Sequence, residues 1–353
     1  MTPDLFIRVS DGKLILWNYV SHEQFELDLA HLRALVAMSQ GKQPTCEAAA
    51  RAIHESGCLR SAESPTWTWD CLSRIFHLGT QIRLAPGEEL PQDDHGEGYL
   101  AYCNSIANDA PRLTTELPGA ICRLPEPDWS STRKVSLADA LSRRKTCREF
   151  LDRATTVQEL ATALWLTFGA IHGPNDEEYE AAGFETLGFR RTSPSGGSLQ
   201  PSEPYVLAMR VEGLEPALYH YRSHSHVLSK LPSNIEREKL GGLLCGQYCA
   251  TELAYGIFIT SRFDKLWWKY PHSRAYRVAL IDIGCLAQTF QLVCTAQGLQ
   301  SWLTGYFLDC EINRILGVDV ERESVMFFLG AGHGSGAIGW GARNLAARQR
   351  SLE

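Results

Sequence analysis

Three short stretches concentrate residues able to bind or react. The first, residues 191–202, packs Gly196 and Gly197, several small hydroxyl residues, Gln200 and the prolines Pro194 and Pro201 into twelve positions. Glycines admit positive φ and close backbone approach, and hydroxyls and an amide supply donors and acceptors. Pro194, Ser195, Gly196, Gly197, Ser198 and Gln200 therefore make a candidate cradle for a polar, flat or phosphorylated ligand, with backbone N–H groups free to face it. The same composition also builds an ordinary surface turn. The second stretch, 142–150, holds Arg143, Arg144, Lys145 and Arg148 beside the hydroxyls of Ser142 and Thr146. Four cations this close repel one another unless an anion sits between them. Arg144 and Arg148 with Thr146, reinforced by Lys145, can bind a phosphate through charge-assisted bonds; the alternative is a solvated helix end. The third stretch mixes aromatics with cations and places Lys269 beside Tyr270, just after Trp267 and Trp268. Indoles that exclude water push a lysine towards the range of a general base, and a neighbouring tyrosine can relay the proton. The bland reading is that Lys269 snorkels while the aromatics pack.

The elements around these stretches follow from periodicity and punctuation. Residues 5–25 alternate as short strands, with Asp11-Gly12 as a hairpin turn. Asp28 caps a helix through Leu32, Leu35 and Met38, a second helix spans 45–56 before Gly57, and a third covers about 69–78. Residues 1–80 thus resemble a winged helix-turn-helix module, but seven Lys and Arg against nine Asp and Glu there argue against a duplex-binding face and favour a peptide-binding or structural role. In a peptide clamp the ligand would add a strand to the hairpin edge. Residues 81–135 read as a connecting region with some packed elements. The second domain runs over 136–353, with helices near 137–141 and 157–168, strands at 205–211, 217–221, 254–260, 299–303 and 325–329, and a long apolar helix at 275–297. Arg277, Asp282, Gln288 and Gln291 in that helix exclude a membrane span and suit a domain centre or a dimer interface. Thr304-Gly305 forms a second small-residue turn, and Arg343 is a last cation available to a phosphate. The acidic segment 175–180 is either a lid or a surface loop.

The chain of 353 residues is 44% hydrophobic and 21% charged, an ordinary globular composition with room for two domains. A net charge of -7 without any basic run argues against general nucleic-acid binding. Eleven cysteines without C-x-x-C spacing indicate neither a disulfide framework nor a zinc site, and Cys245 and Cys249 are expected as buried thiols. His224 and His226 lack neighbours that would complete a metal shell, so no metal is expected. The N-terminus shows no signal-peptide pattern, and a cytoplasmic protein is expected.

Taken in order, Arg144-Lys145-Thr146-Cys147-Arg148, Pro194-Ser195-Gly196-Gly197-Ser198-Leu199-Gln200-Pro201, Tyr219-His220-Tyr221, Lys269-Tyr270 with Arg274-Ala275-Tyr276-Arg277, Gly298-Leu299, Thr304-Gly305 and Gly332 resemble the FMN-dependent nitroreductase-like superfamily. The closer resemblance is to its SagB-type peptide dehydrogenases, which oxidise azolines in ribosomally made peptides. It covers about residues 136–345, and the N-terminal module resembles the winged-helix peptide-recognition domain attached to such enzymes. The resemblance implies an α+β fold, an antiparallel-rich sheet flanked by helices, and a homodimer with FMN at the subunit interface. It implies phosphate contacts from Arg144, Thr146 and Arg148, with Lys145 in the place of the usual Arg. Ser195 to Gln200 would face phosphate and isoalloxazine, and Thr304 and Gly305 would lie near the ring. Lys269 becomes the base that takes a proton while hydride passes to the flavin, Tyr270 its relay or orienting partner, and Trp267 or Trp268 a wall of the site. A leader-bearing peptide and a cyclising partner enzyme are the implied partners. Gly197 and Gln200 depart from the alanine-glycine and histidine more usual in the loop. An NAD(P)H-dependent nitroreductase-type or dehydroamino-acid reductase and a catalytically idle peptide scaffold are the competing readings.

Overall fold

Alternating apolar residues at the start of the chain build an antiparallel meander, β1 (Leu5–Ser10), β2 (Lys13–Asn18) and β3 (Glu23–Leu27), ordered β1-β2-β3. Asp11 and Gly12 turn the first hairpin with φ of 51° and 75°, the pair of left-handed residues whose twist matches flanking strands. Helices α1 (Leu29–Ser39), α2 (Glu47–Ser56) and α3 (Cys71–Gly79) follow. Asp28 and Asp70 cap α1 and α3 by accepting from His31 N and Ser73 N, and left-handed Gly57 closes α2. Leu16, Leu27, Leu35 and Ile53 fuse strands and helices into one small core. The computed structural model describes residues 5–59, 67–84, 87, 89, 95–172 and 189–336, so Arg343 and the segment 175–180 lie outside it. The chain divides into two units, Met1–Pro91 with His272–Arg274, and Gln92–Pro271 with Ala275–Glu353.

The second unit begins with α4 (His95–Ile106), β4 (Ile121–Arg123), α5 (Trp129–Arg133) and α6 (Leu137–Arg143). Next come β5 (Thr155–Thr156) and α7 (Val157–Phe168), the latter opened by a reciprocal capping box between Thr156 and Glu159. The remaining strands are β6 (Ser202–Ala208), β7 (Val211–Glu212), β8 (Ala217–Arg222), β9 (Val227–Lys230), β10 (Tyr255–Arg262), β11 (Gln300–Thr304) and β12 (Glu323–Gly332). With β4, all of these but β7 form one seven-stranded sheet in the order β11-β12-β10-β6-β8-β9-β4, every neighbouring pair antiparallel, while β7 pairs with β5.

Strand alternation explains why both faces of this sheet are apolar. Val206, Ile257 and Leu329 face Leu160, Leu164 and Phe168 of α7 and Ile283 and Phe290 of the long helix Ala275–Ala296. Tyr205, Leu207, Phe258 and Phe328 belong to a second core with Leu240, Leu244, Ile312 and Leu316. The result is an α+β domain with helices on both faces of an antiparallel sheet. The long helix has the length and composition to cross a bilayer, but here it is the domain's main core helix, with Asp282 buried among its apolar neighbours. Of residues 81–135, read from sequence as a connection with some packed elements, 92–135 belong to this second unit, where β4 pairs with β9 at the sheet edge. Cys245 and Cys249 are half-buried rather than buried.

Candidate functional site

The loop before β6 is held by the long helix. Asp282 accepts from the Ser195 hydroxyl at 2.7 Å and from Gly196 N at 3.2 Å, and the Ser195 oxygen accepts in turn from Gln200 N at 3.0 Å. Ser198 N and Leu199 N donate to Ser195 O and Gly196 O. The backbone donors expected to face a ligand are therefore largely spent on fixing the loop itself, because a carboxylate and local turns reach them first. What the loop presents outward is Pro194, Gly197 and Ser198, all exposed, while Gln200 is buried. Gly197, Ser198 and Gln200 have φ of 61°, 57° and 47°, so the shape is a constrained one that non-glycine residues adopt at a cost.

Asp282 was legible only as a carboxylate on an apolar helix. Burial pushes its carboxyl above the ordinary range, and the bonds from Ser195 and Gly196 and the charge of Arg191 pull it back. Asp282→Ala leaves the Ser195 hydroxyl and Gly196 N–H without their acceptor and should cost about 1–3 kcal/mol in urea unfolding. A carboxyl raised in the folded state costs stability as pH rises above its ordinary 3.8, so the deficit should be largest in acid and narrow towards neutrality.

Lys269 and Tyr270 meet this loop at Gly197. The Lys269 Nζ donates to Gly197 O at 3.3 Å, and a Cβ on Gly197 would lie 2.4 Å from the Tyr270 hydroxyl. Of the two indoles expected to wall the site, Trp267 is 49% exposed, whereas Trp268 packs with Leu199, Leu266 and Ala279. The residues that do border the pair come from α4, which the sequence reading missed. The Tyr102 hydroxyl donates to Lys269 O at 3.0 Å, Trp268 Nε1 donates to Ile106 O at 2.9 Å, and Tyr99 and Tyr270 share a hydrogen bond between hydroxyls. Burial, then that bond, holds the Tyr270 phenol up at about 12. The signal for α4 was the spacing of Tyr99, Tyr102, Cys103 and Ile106, obscured by Gly96 and Gly98.

Below the loop lies a buried charged network that also escaped the sequence. Lys265, fully buried, donates to Gln200 O at 3.3 Å and to Glu203 at 3.0 Å. Glu203 also accepts from Thr115 at 2.7 Å and lies 3.3 Å from His220 Nε2. Burial alone would raise the Glu203 carboxyl; Lys265, His220 and Arg191 overcome it and hold the group well below the usual carboxylate range. His226, the second of the paired histidines, is occupied by the Tyr221 hydroxyl and Pro125 O.

The cationic stretch lies elsewhere. Thr146 bridges Ser301, and Cys147 N donates to Ser301 O at 3.0 Å, so residues 144–148 run along the outer edge of β11. Among the described residues Arg144, Lys145 and Arg148 make no ion pair or side-chain hydrogen bond, and Lys145 lines a small pocket with Arg143 and Gln300. Thr304 ends β11, buried, its hydroxyl accepting from Tyr306 N at 3.0 Å, and Gly305 abuts Phe327. Strand direction carries Thr304-Gly305 towards the sheet end where the Ser195 loop enters β6 and the Phe263–Lys269 helix leaves β10. Two groups thus form: the loop with Lys269 and Tyr270, and the cations along β11. No described hydrogen bond joins them.

Residues 141–333, more than half of the chain, match the sequence profile of the Nitroreductase family. A nitroreductase-type protein of Methanocaldococcus jannaschii is 27% identical over 183 residues, 52% of this chain and 85% of its own length. The trifolitoxin-processing protein of Rhizobium leguminosarum bv. trifolii is 25% identical over 141 residues, 39% of this chain and 38% of that protein. The crystal structure of a nitroreductase-type protein from Anabaena variabilis superposes with a TM-score of 0.50 at 20% identity, covering 78% of this chain and 49% of the other, a likeness of fold alone. This chain therefore spans less than half the length of the latter two proteins at the matched region.

Proposed function

The chain belongs to the nitroreductase family, and from that premise we propose that it is an FMN-dependent dehydrogenase of the SagB type, oxidising thiazoline or oxazoline rings to azoles in a ribosomally made peptide with O2 as terminal oxidant. The observation that carries this reading is the convergence of Lys269 and Tyr270 on Gly197 of the Ser195–Gln200 loop. A relative named for the processing of trifolitoxin supports it.

The residues fit the cofactor. Among the described residues Arg144, Lys145 and Arg148 have no acid partner, which suits a phosphate, and Gly197 leaves open the space that any side chain would fill beside the Tyr270 hydroxyl. Arg144, Lys145, Thr146 and Arg148 would hold the phosphate, with Arg343 as a further contact. Pro194, Gly197 and Ser198 would face the ring system from one side, held in shape by Ser195, Gly196 and Gln200, with Thr304 and Gly305 near it. When bound, the flavin supplies a hydride acceptor. Aromatising an azoline also releases a proton, and the Lys269 amine takes it, with Tyr270 orienting the amine or relaying the proton.

The cations and the loop are two partial constellations, and a homodimer would complete the site by setting one against the other. The exposed Tyr276, Leu280 and Ile281 on the long helix support such an interface. Residues 1–80, a winged-helix-like module, would hold the leader segment of the peptide by strand addition, and a cyclising enzyme would supply the azoline in the cytoplasm.

The deciding experiment is the visible spectrum of the purified protein, taken anaerobically before and after NADPH and then after a synthetic thiazoline peptide. A yellow protein that NADPH leaves yellow and the thiazoline bleaches is the expected result. Rapid bleaching by NADPH alone would favour a nitroreductase-type or dehydroamino-acid reductase, the reading that the Methanocaldococcus relative supports. A colourless protein that cannot be loaded with FMN would sink both.

A further inference from the structure

Helix α4 lies outside the stretch matched by the family, residues 141–333, yet it supplies three polar contacts to residues 268–270. Tyr102 ties down the Lys269 carbonyl at 3.0 Å and the Ile106 carbonyl accepts from the Trp268 indole at 2.9 Å, so α4 holds the main chain between Lys269 and Tyr270 and the side chain just before the pair. Tyr99, one turn before Cys103, presents two groups at once. Its ring lies 5.6 Å from the Lys269 Nζ, close to the 6.0 Å between that nitrogen and the Tyr270 ring. Its hydroxyl bonds the Tyr270 hydroxyl and also the Cys103 thiol. Tyr99 is 44% exposed, so the chain of hydroxyls that begins at half-buried Tyr270 ends at water.

We propose that Tyr99 is the positioning and proton-exit residue of the Lys269–Tyr270 pair: its hydroxyl aims the Tyr270 phenol at the space over Gly197 and passes protons between that phenol and solvent. This rests on the base role given to Lys269 above. In the exchange no electrons move. The proton gained by the Lys269 amine is handed to the Tyr270 oxygen as Tyr270 gives its own to Tyr99 and Tyr99 gives one to water, and each phenol ends as it began. Among the described residues, the titratable groups acting on Tyr270 include Lys269 from its own turn and Tyr99 and Cys103 from α4. Burial and the bond to Tyr99 keep the Tyr270 phenol protonated, as a relay between turnovers requires.

The test uses the FMN-loaded full-length protein and the substitution Tyr99→Phe, which keeps the ring against Lys269 and removes only the hydroxyl. Anaerobic stopped-flow mixing with a synthetic thiazoline peptide should show flavin bleaching slowed about tenfold, the equivalent of one lost hydrogen bond, with an unchanged half-saturating peptide concentration and a larger solvent deuterium isotope effect. A second readout is independent of substrate. Labelling of Tyr270 by N-acetylimidazole at mildly alkaline pH, read by peptide mass spectrometry against the 69% exposed Tyr306, should become several-fold faster because the phenol ionises more readily without its Tyr99 partner. An unchanged Tyr270 to Tyr306 labelling ratio overturns the proposal whatever the enzyme's substrate. A changed ratio with wild-type bleaching rate and isotope effect overturns the proton-exit role. A wild-type protein that ignores the thiazoline but is bleached by NADPH sinks the azoline reading instead, and the labelling ratio still decides whether Tyr99 controls Tyr270.

Discussion

If the chain oxidises azolines as proposed, Lys269→Ala should lower that rate by about a hundredfold to ten-thousandfold, the range over which a positioned acid or base acts, while FMN stays bound. The expectation follows from how little else in the site can take a proton. Lys265, four residues earlier, is fully buried and committed to Glu203 and to the Gln200 carbonyl. The Tyr270 phenol is held up at about 12 and gives no base at neutral pH. Asp282 is spent on Ser195 and Gly196. Lys269 touches the loop through a single 3.3 Å bond to a carbonyl, so truncating it removes the amine without dismantling the loop. Single-turnover bleaching with a thiazoline peptide and the flavin-to-protein ratio measure the two halves of the claim. Lys269→Arg separates charge from basicity: it should retain FMN and remain as slow as the alanine variant. A fast alanine variant would assign proton removal to another group.

Lys265→Met should be the most destabilising single change at the site, costing about 3–5 kcal/mol, because it strips a buried carboxylate of its directly bonded cation. Thr115 and His220 would still bond Glu203, but neither replaces a buried ammonium at 3.0 Å. In the wild type the depressed Glu203 carboxyl contributes stability that is full above its ordinary 4.5 and is lost as pH falls towards its folded value. Without Lys265, burial dominates and the carboxyl moves the other way. The deficit should then shrink on acidification as Glu203 takes up a proton, and Lys265→Met combined with Glu203→Gln should recover much of it. Urea unfolding at neutral and acid pH tests this. A deficit below about 1 kcal/mol, as for an exposed pair, would mean that the network is solvated and that Gln200 is held by something else.

The contrast between Lys269 and Lys265 shows what the sequence could tell. Local rules carried well: Asp28 before α1 and Gly57 after α2 both announce helix ends through nearby groups. Strands of the second domain were visible because Val206, Ile257 and Leu329 belong to runs buried on both faces. The loop at 194–200 stood out by composition, and so did Lys269-Tyr270. What failed were pairings over long separations. Asp282 and Ser195 are 87 residues apart, Lys265 and Glu203 62, and Tyr102 and Lys269 167, and no spacing rule reaches that far. The same limit produced the error about free backbone donors in the loop, since only the packed helix reveals which acceptor reaches them. Helix α4 was missed for a local reason, two glycines in its first turn lowering its propensity.

The edges of the two larger sheets differ in their exposure to polymerisation. In the seven-stranded sheet the β4 edge is three residues long, and the β11 edge is shadowed by residues 144–148 through the Thr146 bridge. Neither end offers an incoming chain a long ladder, so concentrated protein should not stack through this sheet. In the first unit β1 is a six-residue outer strand that, among the described residues, is paired on one side only, with Ile7 and Val9 exposed. Mispairing during expression or storage therefore concentrates there, and a charge at Val9 is the economical safeguard against aggregation in any effort to crystallise the protein.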